Sequence, residues 1–146
     1  MSVLVDTNVL LRRTQPSHAH YPAAVESVAR LLSTGEPVCL TPQNIAEFWN
    51  VATRPIASNG LGFSVDLVLA EVTKIENALT LLPDTEAMYA EWKRLVTTHQ
   101  VLGSKVHDAR LVAAMNVHAV QRILTFNAGD FVRYGVEVMD PAAVAA

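Results

Sequence analysis

At 146 residues, 51% hydrophobic and 17% charged, the chain has the size and apolar content of one folded domain, and this composition excludes a disordered segment. A net charge of -3 excludes a protein that holds nucleic acid by bulk electrostatics alone. It leaves room for a nuclease, because an acidic metal site subtracts from whatever basic surface surrounds it. The single Cys39 excludes an intrachain disulfide, no apolar stretch reaches membrane-spanning length, and "SVLV" is too short for the apolar region of a signal peptide. The expectation is a reduced, cytoplasmic domain with no membrane attachment.

The first predicted element is a strand over 2–5, where Val3, Leu4 and Val5 form an apolar run suited to burial on both faces of a sheet. It ends on Asp6, followed at once by Thr7 and Asn8. A carboxylate at the lip of a buried strand is costly to desolvate unless something pairs with it. Either Asp6 caps the helix expected over 8–14, or the strand delivers it to a site. A second helix is expected over 20–33, and a strand over 37–41, "PVCLT", which makes Cys39 a buried structural thiol.

The helix over 43–53 lies in "TPQNIAEFWNVATRP" and places Ile45, Phe48, Trp49 and Ala52 on one apolar stripe. Glu47 falls off that stripe, so periodicity reads it as a solvated helix residue. Only its nearness to the end of strand 37–41 suggests otherwise. A helix over 64–77 starts at a Ser64 cap, and strand 78–82 is closed by Pro83. Asp84 is the expected cap of the next helix, over 85–99. In the helix over 107–117, Leu111, Val112 and Met115 follow Asp108 at i+3, i+4 and i+7, which puts Asp108 on the apolar face. The macrodipole offers a second reason for an acid in a first helical turn. Strand 122–125 is followed by the turn formers Asn127, Gly129 and Asp130, with Phe131 as an anchor, and a last strand covers 136–139.

Strand and helix alternating in this way predict an α/β single domain, a central mostly parallel four- to five-stranded sheet flanked by helices on both faces. In such sheets, sites form outside the carboxyl ends of the strands. Asp6, Glu47, Asp108 and Asp130 are the acids that such an arrangement could gather. Crowded carboxylates tolerate one another when a cation offsets their repulsion, and hard cations such as Mg²⁺ or Mn²⁺ prefer oxygen ligands. The histidines at 18, 20, 99, 107 and 118 lack paired zinc spacing, and no glycine-rich phosphate loop or nucleophile elbow is present.

The segments "VLVDTNVLL", "TPQNIAEFWNVATRP" and "HDARLVAAMNVHAVQRILTFNAGDF", in this order and spacing, resemble the PIN domain, and in particular the VapC-like toxins of bacterial toxin–antitoxin pairs. The resemblance implies a Mg²⁺- or Mn²⁺-dependent endoribonuclease, an RNA substrate, a cognate antitoxin and a homodimer. It maps the metal-binding and catalytic acids onto Asp6, Glu47, Asp108 and Asp130, with Asn127 at a position that is acidic or polar in the family. It also assigns Thr7 and Thr125 to hydroxyl positions that orient the acids or a water. Arg12, Arg13, Arg54, Lys105 and Arg110 are candidates for contacts to the RNA backbone. Two other readings stand beside this one: a PIN-like module that binds RNA or protein without catalysis, and a phosphatase using Asp6 as nucleophile. The second lacks the acid expected two residues after that nucleophile, since "DTN" offers Asn8 there.

Overall fold

In the computed structural model, which covers residues 1–146, the opening apolar run becomes the central strand of the sheet. This strand, β1 (Val3–Val5), leads into helices α1 (Thr7–Arg12) and α2 (Tyr21–Ser33). Strand β2 (Val38–Leu40) precedes α3 (Pro42–Thr53), and α4 (Val65–Ala78) precedes the short β3 (Thr80–Leu81). Helices α5 (Ala87–Thr98) and α6 (Val106–Val117) follow, then β4 (Arg122–Leu124), β5 (Glu137–Met139) and a last short helix, α7 (Pro141–Ala145). The strand order is β3-β2-β1-β4-β5, and every neighbouring pair is parallel. The expected α/β architecture holds, with a sheet that is wholly rather than mostly parallel.

β1 and β2 read as unbroken apolar runs because both faces of the sheet are covered there, whereas the edge strands β3 and β5 carry exposed residues. Successive side chains on a strand point to opposite faces. Val3 and Val5 therefore join Val38, Leu40 and Leu124 beneath α1 to α4, whereas Leu4, Cys39 and Ile123 join Leu95, Leu111, Val112 and Met115 beneath α5 and α6. Phe48 and Phe131 are fully buried, one in each layer. Each contributes on the order of 2–3 kcal/mol by leaving water. Cys39 is buried as expected, and burial pushes its thiol pKa up, so it is a packing group rather than a nucleophile.

Ser64 caps α4 as expected, its side chain accepting from the Leu67 amide at 3.1 Å. Asp84 does not cap α5. That helix starts at Ala87 behind Glu86, while the Asp84 carboxylate turns to the Arg110 guanidinium at 3.5 Å. An ion pair from the neighbouring helix thus outcompetes the local cap. Strand 78–82 is shorter than expected because α4 runs through Ala78. Helix α7 lies outside the sequence-based elements, and Asp140 caps it through the Ala142 amide at 3.1 Å.

The chain leaves β1 toward β2 but leaves β4 toward β5 on the other side of the sheet. The gap between the carboxyl ends of β1 and β4 is therefore the topological switch point, where open parallel sheets place their sites. Asp6 is the residue after β1 and Thr125 the residue after β4.

Candidate active site

The capping reading of Asp6 is realised, and its second carboxylate oxygen is held from the end of β4. It caps α1 through its Oδ1, which accepts from the Thr7 amide at 2.8 Å. Its Oδ2 accepts from the Thr125 hydroxyl at 2.8 Å and from Asn8 Nδ2 at 3.3 Å, across the switch point. The Thr125 oxygen itself accepts from Asn8 Nδ2 at 3.2 Å and from the Asn127 amide at 3.0 Å. Asn8 Oδ1 in turn accepts from the Phe126 amide at 3.3 Å. The Asp6 carboxylate, only 7% exposed, is thereby fixed in orientation from both strand ends.

Glu47 reaches the same region from α3. It lies off the apolar stripe, as periodicity required, yet it is half-buried rather than solvated. Its Oε1 accepts from the Thr7 hydroxyl at 2.7 Å, and its Oε2 accepts from Gln43 Nε2 at 3.3 Å. The Thr7 oxygen also accepts from Asn44 Nδ2 at 3.0 Å. Asn44 is itself locked in a capping box with Thr41, whose amide and hydroxyl both donate to Asn44 Oδ1, at 2.9 and 3.0 Å. One buried polar chain thus runs from the end of β2 through Asn44 and Thr7 to Glu47.

Asp108, half-buried in the first turn of α6, and Asp130, in the short turn Ala128–Asp130 after β4, complete the acidic set. Lys105 Nζ contacts Asp130 Oδ1 at 2.6 Å. Gln43 ties α3 to α6 by donating to the His107 carbonyl at 2.8 Å and accepting from Arg110 at 3.0 Å. Lys105 and Arg110 therefore sit at the rim. Arg12 instead bonds Gln15, and Arg13 is half-buried beside Glu71 and Tyr21. Arg54 closes α3 with its own backbone amide bonded to Asn50. None of these three ion-pairs with an acid of the set. Asn127 is exposed at the rim and engages Thr125 through its backbone alone. Asn8, Gln43 and Asn44 carry much of the geometry without having been singled out from sequence. The available signals were the adjacency of Asn8 to Asp6 and the Thr-x-x-Asn capping pattern of "TPQN".

The electrostatics are those of a site short of positive charge. Burial pushes the Asp6 carboxyl up to about 6, against the hydrogen bonds from Thr125 and Thr7, and the charges of Asp108 and Glu47 push the same way. Asp108 is also raised to about 6, first by burial and then by the charge of Asp130, with Lys105 opposing. Asp6, Glu47, Asp108 and Asp130 thus feel one another's charges, and Lys105 is the one cation paired with any of them. All the donors are hard oxygens, which suits Mg²⁺ or Mn²⁺. No three acidic, histidine or cysteine side chains stand at the spacing that ligates one ion directly. A cation that keeps several waters and takes one or two carboxylates fits this looser set, whereas a tetrahedral cage does not.

Residues 3–137 match the PIN domain family model, and the chain belongs to that family. PIN domain proteins are nucleases that generally use divalent metals. No curated protein matches the chain. Among solved structures, the chain is similar to VapBC2 from Rickettsia felis bound to a promoter DNA fragment, at 13% identity and a TM-score of 0.71, with 96% of this chain and 98% of that one covered. It is also similar to VapC20 from Mycobacterium tuberculosis, a sarcin-ricin-loop-cleaving toxin, at 20% identity and a TM-score of 0.66, covering 92% and 95%. VapBC-1 from nontypeable Haemophilus influenzae matches at 13% identity and a TM-score of 0.69, covering 97% and 98%. At these identities the likeness establishes the shared fold.

Proposed function

We propose that the chain is a metal-dependent endoribonuclease, the toxin of a toxin–antitoxin pair, that hydrolyses RNA phosphodiesters with Mg²⁺ or Mn²⁺ as cofactor. What supports this reading is the gathering of Asp6, Glu47, Asp108 and Asp130 from four separate elements with Lys105 the one cation paired among them. Asp6 and Asp108 are both raised to about 6 there, by burial first and then by the neighbouring acids. One or two of Asp6, Glu47, Asp108 and Asp130 would ligate the ion directly and the others through its waters, with Asn127 the alternative to Asp130 as the fourth group. When bound, such an ion polarises the phosphate, lowers the pKa of a water and offsets charge on the leaving oxygen. The protein's own groups do the rest. Thr125 and the Thr7 amide fix the aim of Asp6, and Thr7 and Gln43 fix that of Glu47. The rim positions of Lys105 and Arg110 support contacts from them to the RNA, and Arg12, Arg13 and Arg54, which pair with no acid of the set, have less support for that role.

Glu47 tests the assignment most sharply, because periodicity alone argues against it. Glu47→Gln keeps the hydrogen-bonding shape and removes the charge. Cleavage by this variant is expected to fall several-fold or more at limiting Mn²⁺ and to recover partly at saturation, while the melting temperature stays within a degree or two of the parent. Parental activity at every Mn²⁺ concentration would remove Glu47 from the site. Failure of the parent to cut RNA with either metal would leave the reading of a binding module without catalysis.

VapBC complexes among the similar structures support a cognate antitoxin as partner. An arginine of such a partner would fit the carboxylates bidentately and compete with the metal for the same oxygens. A peptide from the cognate antitoxin carrying that arginine is therefore expected to inhibit cleavage, and added Mn²⁺ to relieve the inhibition. Equal inhibition by its Arg→Ala version, insensitive to metal, would place the block outside the acids. A homodimer belongs to the same reading. Val65 and Leu69, one turn apart on α4 and 59% and 53% exposed, offer apolar area for one, and sedimentation of the isolated chain at several concentrations reads it.

A further inference from the structure

Linked to the acids through Gln43 lies a concavity whose aromatic wall the reaction as described does not use. It is a cleft of about 270 Å³ lined by Asp84, Thr85, Met88, Tyr89, Trp92 and Arg110. Tyr89 and Trp92, on α5, form an open pair with ring centroids 6.2 Å apart and planes tilted by 33°. Trp92 is anchored, its Nε1 donating to the Val106 carbonyl at 2.8 Å, in the same turn of α6 that carries Asp108. Tyr89 is 67% exposed, which is unusual for a large ring unless something covers it. The inner edge of the cleft is polar, with the Arg110 guanidinium 3.5 Å from the Asp84 carboxylate. Arg110 also donates to Gln43, and Gln43 donates to Glu47, so two hydrogen bonds separate the cleft from the acidic set.

We infer that this cleft seats one nucleobase of the RNA substrate beside the scissile phosphate, stacked on Tyr89 and Trp92, with its edge toward Arg110 and Asp84. The inference rests on the nuclease reading and names the part of the substrate that the acids do not hold. Three features favour a base over other occupants. The volume falls below the ~300 Å³ at which pockets for larger small molecules begin, which suits one planar ring system. Aromatic faces stack any base, and a neighbouring arginine adds donors and a flat cation. The edge pairs donors on Arg110 with an acceptor on Asp84, matching the mixed polarity of base edges. The link through Gln43 also joins the cleft wall to Glu47, so a chain that reached the acids by its phosphate could extend a neighbouring base toward the cleft.

The experiment compares binding of a short oligoribonucleotide with that of an abasic ribose-phosphate chain of the same length, in EDTA so that nothing is cut. The proteins are the parent, Tyr89→Ala and Tyr89→Phe. The exposed position of Tyr89 makes both variants safe for the fold, and unchanged melting temperatures verify this. The parent should prefer the base-bearing chain, Tyr89→Ala should lose about 10-fold in affinity for it and little for the abasic chain, and Tyr89→Phe should stay within about twofold of the parent, because stacking is worth roughly 1–3 kcal/mol per base. Equal losses on both chains, or no loss on either, overturns the inference. So does a change in oligomeric state of Tyr89→Ala without a change in base preference, which would assign the cleft to a protein contact. If the parent cuts RNA while Tyr89→Ala binds it normally, only this inference falls. If the parent neither binds nor cuts RNA, the nuclease reading falls with it.

Discussion

Replacing Asp6 by Asn is expected to lower metal-dependent RNA cleavage by at least about 100-fold while the fold survives. The amide keeps the size of the side chain and an oxygen for the Thr7 amide, so the α1 cap persists, and asparagine caps helices as well as aspartate does. The lost item is a negative oxygen at the switch point, and an amide is a poor ligand for a hard cation. Stability should change little, because the burial cost of a carboxylate only 7% exposed is removed while Thr125 and Asn8 lose the acceptor that Oδ2 gave them. Asp108→Asn should behave in the same way. The assay is cleavage by protein stripped of metal and then supplied with Mg²⁺, beside a thermal melt. A variant that cuts at the parental rate would show the assignment of these acids to be wrong.

The second large effect couples pH, metal and stability. The Asp6 carboxyl is raised to about 6, whereas an unfolded aspartate titrates near 4. Between those values the folded protein holds a proton that the unfolded chain has released, so stability falls as pH rises through this window and levels off above it. For Asp6 the loss is on the order of 3 kcal/mol, from a shift of about two units. Asp108 adds to it in the same direction from a more exposed position. Glu36 and Glu91 are lowered by their arginine partners or the N-terminus and work in the opposite sense, losing stability as pH falls through the acid range. Metal-free protein should therefore melt several degrees lower at pH 7 than at pH 5, and this slope should flatten in Asp6→Asn. Mn²⁺ should raise the melting temperature more at pH 7 than at pH 5, where protons compete for the same oxygens. An equal Mn²⁺ effect at both pH values, or one undiminished in Asp6→Asn, would place the metal elsewhere.

Much of the fold could be read from the sequence because the apolar runs are short, unbroken and bounded. Val3 to Val5 and Val38 to Leu40 have no polar alternation, which is what two-sided burial demands. Element ends were less legible: the Asp84 carboxylate had a distant arginine as a better partner than its own helix, and no local rule contains that information. The acids divide in the same way. Asp6 announced itself by its place at the end of a buried strand, and Asp108 by facing the apolar side of its helix. Glu47 had periodicity against it and only its nearness to the end of strand 37–41 in its favour, because its partner Thr7 comes from α1, 40 residues away. Asn44 and Thr7 are 37 residues apart, and Asn8 and Thr125 are 117 apart, so the bonds that aim the carboxylates form only when distant segments meet.

The central position of β1 has a consequence for the order in which the protein is made. One edge of β1 pairs with β2, but the other waits for β4, whose residues emerge from the ribosome more than 100 positions later. Until then β1 has an open edge, and Asp6 lacks the Thr125 hydroxyl that orients it. Closure of that edge and completion of the acidic site are one event, set by long-range parallel pairing, which is slow. A nascent chain therefore lacks the hydroxyl that aims Asp6 and the last of the four acids until Thr125 and Asp130 have been synthesised. For a protein proposed to attack RNA in the cell that makes it, the topology itself delays activity until translation of the site is finished.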